Sequence, residues 1–572
     1  MSSERWSSRL GVILAVAGSA VGLGNFLRFP GQAAQYGGGA FMVAYFVSLL
    51  ILGLPICWAE WTMGRMAGSH GLHSSPGVFH FFMKNRWGKY VGVIGVVVPV
   101  VIYMYYVVIE AWCLGYAVNF LTGGIHFDSV DAAGEFFGKF IGIHENGLSL
   151  GLGLDQVGNY LLFVFVLNFV LIYRGVSKGI EWFCKWAMPS LLLLALVILV
   201  RVLTLGAPDS SLPERNVING LGFMWNPGKV YLEKFEDARW SKGRELIGEV
   251  EIDLARAEAA ADPVLRVRTV GVVEQLMKPQ LWLAAAGQIF FSLSVGFGVI
   301  LTYASYLSRR DDVVLSGLSA TSANEFCEVG LGGLITLPAG FAFLGVAGVA
   351  GMGTFALGFN VLPLVFAQMP LGQVFGFVFF LLLFLAAVTS SLSMLQPGIA
   401  FLEESLSIRR KESVAILGFI TALGSAFVVF FSKDLKALDT LDFWVGTFLI
   451  FILATCQILV FAWKLGVEKG LAEAAQGSVF GIPRVFMPVM KFICPMFLLT
   501  VFGLWVLVNV FGISFTGGGS EISAYVKDLF IDPEPVAIFS VGLVCLFALF
   551  VGLLVSRARA YRDQPEGEVV DQ

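Results

Sequence analysis

Residues 15–30 read AVAGSAVGLGNFLRFP and residues 287–306 read GQIFFSLSVGFGVILTYASY. Both stretches are apolar enough to enter a bilayer. Both are interrupted by glycines, one by Gly18, Gly22 and Gly24 and the other by Gly287, Gly296 and Gly298. Glycine weakens a helix while freeing its backbone. The strings Val21-Gly22-Leu23-Gly24 and Val295-Gly296-Phe297-Gly298 echo one another. One such string carries little, since glycine is frequent in membrane helices. A matched pair at corresponding places in two halves of a chain points to an inverted repeat with unwound segments near the bilayer midplane. Unwinding frees carbonyls to hold a cation and half-helix amides to face an anion. The Gly22–Gly24 string is no dinucleotide loop, because no strand precedes it and the third glycine is missing.

Working outward, windows of about 20 apolar residues, the length that crosses a bilayer, recur along the chain. They fall near 10–35, 39–66, 88–121, 158–174, 182–205, 280–306, 313–346, 371–406, 413–431, 441–465, 486–513 and 535–556. The expectation is an all-α polytopic membrane protein of twelve transmembrane helices, with the first and sixth broken. Of 572 residues, 57% are apolar and 14% charged, against about 25% charged in soluble domains. That excludes a soluble enzyme, a nucleic-acid binder and a disordered scaffold. The first run is too long for the core of a signal peptide and lacks a cleavage site, so it is expected to stay as a span. The expected organisation is an N-terminus 1–9, a first half 10–206 with spans one to five, and a loop 207–279. A second half 280–465 with spans six to ten follows, then spans eleven and twelve in 466–556 and a C-terminus 557–572.

Lys and Arg in the short loops set the orientation. Arg5, Arg9, Lys84, Arg86, Lys89, Arg174, Lys178, Lys185, Arg309, Arg310, Arg409, Arg410, Lys411, Arg557, Arg559 and Arg562 all fall on one side if both termini are cytoplasmic. Residues 229–278 then lie outside; they hold nine basic and ten acidic residues. Leu246, Ile247, Val250 and Leu254 recur there at helical spacing, so a solvated helical cap is expected, with a partner-docking element as the alternative. The seven cysteines are scattered singly and form neither a disulfide framework nor a metal site. With no cysteine pair and no glycosylation sequon in the long loops, a bacterial inner membrane fits better than an animal cell surface. The five histidines (His70, His73, His80, His126, His144) read as loop surface residues.

The motifs RLGVILAVAGSAVGLGNFLRFP, QYGGGAF, PICWAEWTMGR, IYMYYVVIEAW, GQIFFSLSVGFG and TSSLSMLQP, in this order, resemble the neurotransmitter:sodium symporters, most of all their bacterial LeuT-like branch. The resemblance runs from about Arg9 to the twelfth span and implies a 5+5 inverted repeat. It also implies two sodium sites. One would take the carbonyls of Gly18, Val21 and Ala386 with the hydroxyls of Thr389 and Ser390; hard cations prefer such oxygen ligands. Read alone, Thr389, Ser390 and Ser391 would be hydroxyls bonding back onto their own helix. The other site would take the carbonyl of Ala20, the side-chain oxygens of Asn25 and Asn324, and Ser292, where relatives often carry Thr.

The resemblance implies an amino-acid substrate as well, because monoamine carriers place Asp at the position of Gly22. Its carboxylate would meet the amides of Leu23 and Gly24 and the hydroxyl of Tyr106. Its amine would meet the carbonyls of Ala20 and Phe291 and the hydroxyl of Ser294. Ile102, Phe297, Ser390 and Met394 would line a pocket without charge, which suits a neutral, small-to-medium aliphatic side chain. Arg28 and Asp442 match an outer gate over Tyr106 and Phe291. Arg5 and Glu404 match an inner gate near Ser305 and Tyr306, although the family has Asp at the acidic position. Glu60 is expected to bond amides freed by unwinding, while Glu110, Glu325 and Glu403 receive no role. Glu328 stands where chloride-dependent relatives carry a small polar residue, near Tyr45, Gln288 and Ser292, so transport is expected to be chloride-independent. The expected partners are the substrate, sodium and the lipid bilayer, with no nucleic acid and an open oligomeric state. The alternatives are a carrier of another small zwitterion or a transporter-like amino-acid sensor. An intramembrane enzyme is disfavoured, since the spans contain no nucleophile–base or metal-ligand spacing.

Overall fold

A computed structural model describes residues 6, 8–147, 153, 155–236, 239–241, 243–346, 348–350, 352–513 and 522–561. Among them, nine helices are long and apolar enough to cross a bilayer: Gly39–Gly68, Gly88–Leu121, Val176–Leu203, Val313–Leu344, Gly372–Leu406, Arg410–Phe430, Lys433–Ala474, Phe486–Asn509 and Pro535–Arg557. The pair Leu10–Ala20 and Gly24–Gln35, bent by 44°, makes one more. The shorter Val157–Tyr173 and the broken pair Pro279–Leu293 and Val299–Ser305 complete the twelve spans expected from hydropathy.

The third span, Gly88–Leu121, is the axis: 94% of its apolar window is buried, against 28% for the eleventh and twelfth. It packs along the eighth, Gly372–Leu406. On the twelfth span Leu546, Leu549 and Leu553 stand exposed three to four residues apart, a stripe for lipid.

Both breaks have local causes. The first helix stops at Ala20, and Val21 turns to extended backbone at φ −76°, ψ 99°. In the sixth span Ser294, Gly296 and Gly298 take φ of 54°, 75° and 80°, the left-handed region. At Gly298 room decides as well, because a Cβ would sit 2.4 Å from the carbonyl oxygen of Gly95 on the third span. Irregular backbone at membrane depth survives only when protein encloses it. Val21, Asn25 and Val295 are accordingly buried. Glu60 accepts the freed Gly296 amide at 3.1 Å and the Gln457 side-chain amide at 2.6 Å, the role expected of it.

The charged loop departs from the helical expectation. It folds as four strands, β1 (Lys229–Glu236), β2 (Arg239–Ser241), β3 (Glu245–Leu246) and β4 (Leu265–Val270), with each of the others antiparallel to β1. A helix, Glu249–Ala261, follows β3. Leu246 lies buried in a strand, whereas Val250 and Leu254 are 72% and 60% exposed, so their spacing marks no buried helix face. The inward alternation of β1 is carried by Lys229, Tyr231 and Glu233. Lys229 Nζ bonds Glu245 Oε1 at 2.5 Å and lies 4.0 Å from the Phe223 ring centre; burial pulls its ammonium below the ordinary lysine range. Glu233 is held by Arg266 at 2.6 Å. The insertion meets the turn between the first two spans, where a Cβ on Gly37 would fall 3.1 Å from Gln275 Oε1 and one on Gly38 3.4 Å from Lys229 Nζ. A further helical segment, Thr354–Gln368, lies between the seventh and eighth spans.

Candidate functional site

At the break of the first span, Asn25 Oδ1 accepts the Gly22 amide at 2.7 Å. Its Nδ2 donates to Asn324 Oδ1 at 2.8 Å and to Glu328 Oε2 at 3.3 Å. Asn324 Nδ2 donates in turn to Ser292 Oγ at 2.6 Å and to Glu328 Oε2 at 3.1 Å. Gln288 Nε2 reaches Glu328 Oε1 at 2.7 Å, and the Ser292 hydroxyl also donates to this carboxylate. All five residues are buried and join the first, sixth and seventh spans. Glu328 sits on a wider π-type turn, Phe326–Gly333, which follows the straight helix ending at Glu325. Tyr45 donates to Glu325 at 2.9 Å, giving that acid a partner that sequence motifs do not reveal.

A second cluster joins the first and eighth spans. Ser390 Oγ lies 3.3 Å from the carbonyl oxygens of both Gly18 and Ser19. A Cβ on Gly18 would meet Thr389 Cβ at 3.2 Å. The Thr389 hydroxyl bonds back to Ala386 O at 2.9 Å and to Leu385 O at 3.2 Å. Gly18, Ala386, Thr389 and Ser390 are thus brought together, with the threonine in the helix-bonded state. Ser294 Oγ donates to the Ser19 carbonyl at 3.0 Å, which ties the sixth break to the first. Ala20 and Val21 are buried at the break itself.

The third span closes the site. Tyr106 OH accepts the Leu23 amide at 3.2 Å. A Cβ on Gly22 would lie 2.5 Å from Ser390 Oγ and 2.8 Å from Tyr106 OH, so a side chain at position 22 would have to displace them. A cavity of about 90 Å³ is lined by Leu23, Gly24, Arg28, Tyr106, Phe291 and Asp442, among others. Ile102, Phe297 and Met394 are buried but do not line it.

Residues 3–133 and 263–515 match the profile of the sodium:neurotransmitter symporter family. The chain belongs to that family. A sodium-dependent transporter of Bacillus subtilis is 28% identical over 89% of this chain and 98% of its own length. One from Methanocaldococcus jannaschii is 27% identical over 82% of this chain and 83% of its own. The crystal structure of MhsT in complex with L-phenylalanine superposes with a TM-score of 0.69 at 28% identity, covering 88% of this chain and 99% of that one. As a member of the sodium:neurotransmitter symporter family, this chain is a multi-pass, sodium-dependent transporter and not an enzyme.

The residues expected to gate the site do not pair with one another. Arg28 and Asp442 form no ion pair: the guanidinium lies 4.3 Å from the Phe291 ring centre with one nitrogen unpartnered, and Asp442 accepts Tyr105 OH at 2.8 Å. Arg5 lies outside the described residues. Glu404 accepts the amides of His73 and Ser74 at 2.7 and 3.0 Å, so it anchors a loop. Ser305 contacts His73 Nδ1 at 3.0 Å, and Tyr306 stacks on the same ring at 4.9 Å. His73 is therefore not a plain surface residue, and burial lowers the basicity of its ring. On this face Trp6 Nε1 bonds the Tyr303 carbonyl, and the buried Tyr561 bonds Ser74, so both ends of the described chain lie together.

Proposed function

We propose that this protein is a sodium-coupled symporter that imports a neutral amino acid, small to medium and aliphatic, by alternating access and without chloride. The observation that carries the reading is the Glu328 carboxylate, enclosed at membrane depth by Asn25, Gln288, Ser292 and Asn324. Neutral donors orient a buried negative charge but do not neutralise it, so a cation belongs beside it. The oxygens of Ala20, Asn25, Ser292 and Asn324 are proposed to hold one sodium ion. Those of Gly18, Val21, Ala386, Thr389 and Ser390 are proposed to hold a second, for which the Thr389 hydroxyl need only turn from its own helix. Fixed negative charge at Glu328 replaces a mobile anion.

Substrate chemistry follows from what is missing at position 22. Gly22 stands where the family's monoamine carriers have an acidic side chain, so the substrate is proposed to bring the carboxylate that meets Leu23, Gly24 and Tyr106; a Cβ at position 22 would press on Ser390 Oγ and Tyr106 OH. Its amine faces the carbonyls of Ala20 and Phe291 and the hydroxyl of Ser294. Ile102, Phe297, Ser390 and Met394 offer no charge to its side chain. Arg28 and Asp442 would close over Tyr106 and Phe291 once it is bound, and Arg5, Glu404, Ser305 and Tyr306 form the opposite gate. Lys and Arg placement supports cytoplasmic termini in an inner membrane. A second reading, an aromatic amino acid, is favoured by the Phe291–Phe297 pair at 6.0 Å and by the L-phenylalanine of MhsT. Uptake into proteoliposomes of a panel of labelled amino acids, with sodium against potassium outside and gluconate against chloride throughout, tests the proposal. Sodium-driven, chloride-indifferent uptake of alanine-to-leucine-sized substrates is expected; preference for phenylalanine or tryptophan selects the second reading, and collapse in gluconate overturns chloride independence.

A further inference from the structure

Glu110 on the third span is fully buried and plays no part in the clusters above. Its Oε2 accepts one hydrogen bond, from Asn168 Nδ2 on the fourth span, at 3.2 Å. The same amide nitrogen lies 3.5 Å from Tyr103 OH. Two buried oxygens of this pair, Glu110 Oε1 and Asn168 Oδ1, have no partner. Ser391 faces Glu110 from the eighth span, but its hydroxyl donates to the Val388 carbonyl at 3.0 Å.

Both orphans are acceptors, so no rearrangement of the two side chains satisfies them. Turning the Asn168 amide over only sets acceptor against acceptor. One added proton resolves both: a carboxylic acid O–H on Glu110 donates to Asn168 Oδ1 while Asn168 Nδ2 donates to the acid carbonyl. The result is a cyclic acid–amide pair with two parallel hydrogen bonds. We infer that Glu110 and Asn168 form a resident proton-binding site between the third and fourth spans, distinct from the Glu328 cluster. An unprotonated Glu110 would be a charge at membrane depth facing only the neutral groups of Asn168 and Ser391, which is costly.

No cation pairs with Glu110 among the described residues. The titratable groups that face it on its own span are Tyr103, Tyr106 and Cys113. The fourth and eighth spans offer Asn168 and Ser391. Arg410, at the start of the ninth, is engaged by the Ile172 carbonyl at 3.2 Å and by Gln396 at 2.9 Å. Asp442 on the tenth is bonded to Tyr105. The inference does not depend on which substrate the protein carries.

The test is infrared difference spectroscopy on the purified full-length protein at neutral pH, wild type against Glu110→Gln. The glutamine amide can make the same two bonds without titrating. The difference is expected to contain the C=O band of a protonated carboxylic acid, shifted in heavy water. Asn168→Leu, which leaves Glu110 in place, is expected to move that band toward a free acid and to lower Tm by several degrees. Raising pH is expected to lower the wild-type Tm relative to Glu110→Gln. Loss of an ionised carboxylate band in place of the acid band, or no shift of the acid band in Asn168→Leu, overturns the proposal. Sensitivity of that carboxylate band to sodium at constant pH would assign the pair to a metal cation instead.

Discussion

At Glu328 one charge serves several donors at once. Replacing it by Gln keeps the shape and removes the charge; sodium-driven uptake is expected to fall at least tenfold, about 1.4 kcal/mol of lost stabilisation. Glu328→Ser is expected to regain transport only when chloride is present, measured as uptake in chloride against gluconate. At Gly22 the argument is steric. Ala there would press on Ser390 Oγ and Tyr106 OH, an overpacking cost of about 1–3 kcal/mol. Substrate affinity by thermal shift is expected to drop roughly tenfold or more while the protein still folds. Which residues gather at the breaks was legible in the motifs, because Asn25 and Ser292 sit on the broken helices themselves and Asn324 and Glu328 one turn apart on the span that bonds to them. Arg28 on Phe291, Tyr105 on Asp442 and Tyr45 on Glu325 were not, since long side chains choose partners by rotamer and by conformational state.

The breaks themselves belong to the scale of the helix. Gly298→Ala combines left-handed strain of about 1–2 kcal/mol with a contact to the Gly95 carbonyl. A Tm loss of several degrees is expected by nanoscale fluorimetry, and larger than that of Gly287→Ala, where a Cβ meets nothing within 4 Å. Glu60→Ala strands the Gly296 amide, an unpaired buried donor worth about 1–3 kcal/mol, and is expected to destabilise the protein more than Glu60→Gln. All twelve spans could be placed from hydropathy because bilayer thickness fixes their length. The sheet of the insertion could not. Its inward positions are Lys229, Tyr231 and Glu233, residues whose burial depends on Glu245 and Arg266 elsewhere in the chain.

Taken whole, the molecule is a buried third span with broken helices beside it and lipid-facing spans around it. Two sodium ions with a zwitterion would carry net positive charge inward, and each charge gains about 2.3 kcal/mol per 100 mV of membrane potential. An inside-negative potential imposed with valinomycin is therefore expected to accelerate uptake into proteoliposomes, and an unchanged initial rate would exclude electrogenic transport. The insertion is the other whole-molecule feature. It meets the turn after the first span through Gln275 and Lys229 beside Gly37 and Gly38, yet its helix turns Val250 and Leu254 to solvent. That makes it a handle beside the first break: if alternating access tilts the first span, a fluorophore at either position would move with it, and its distance to a second dye on the third span would time each stroke of the transport cycle without touching the permeation path.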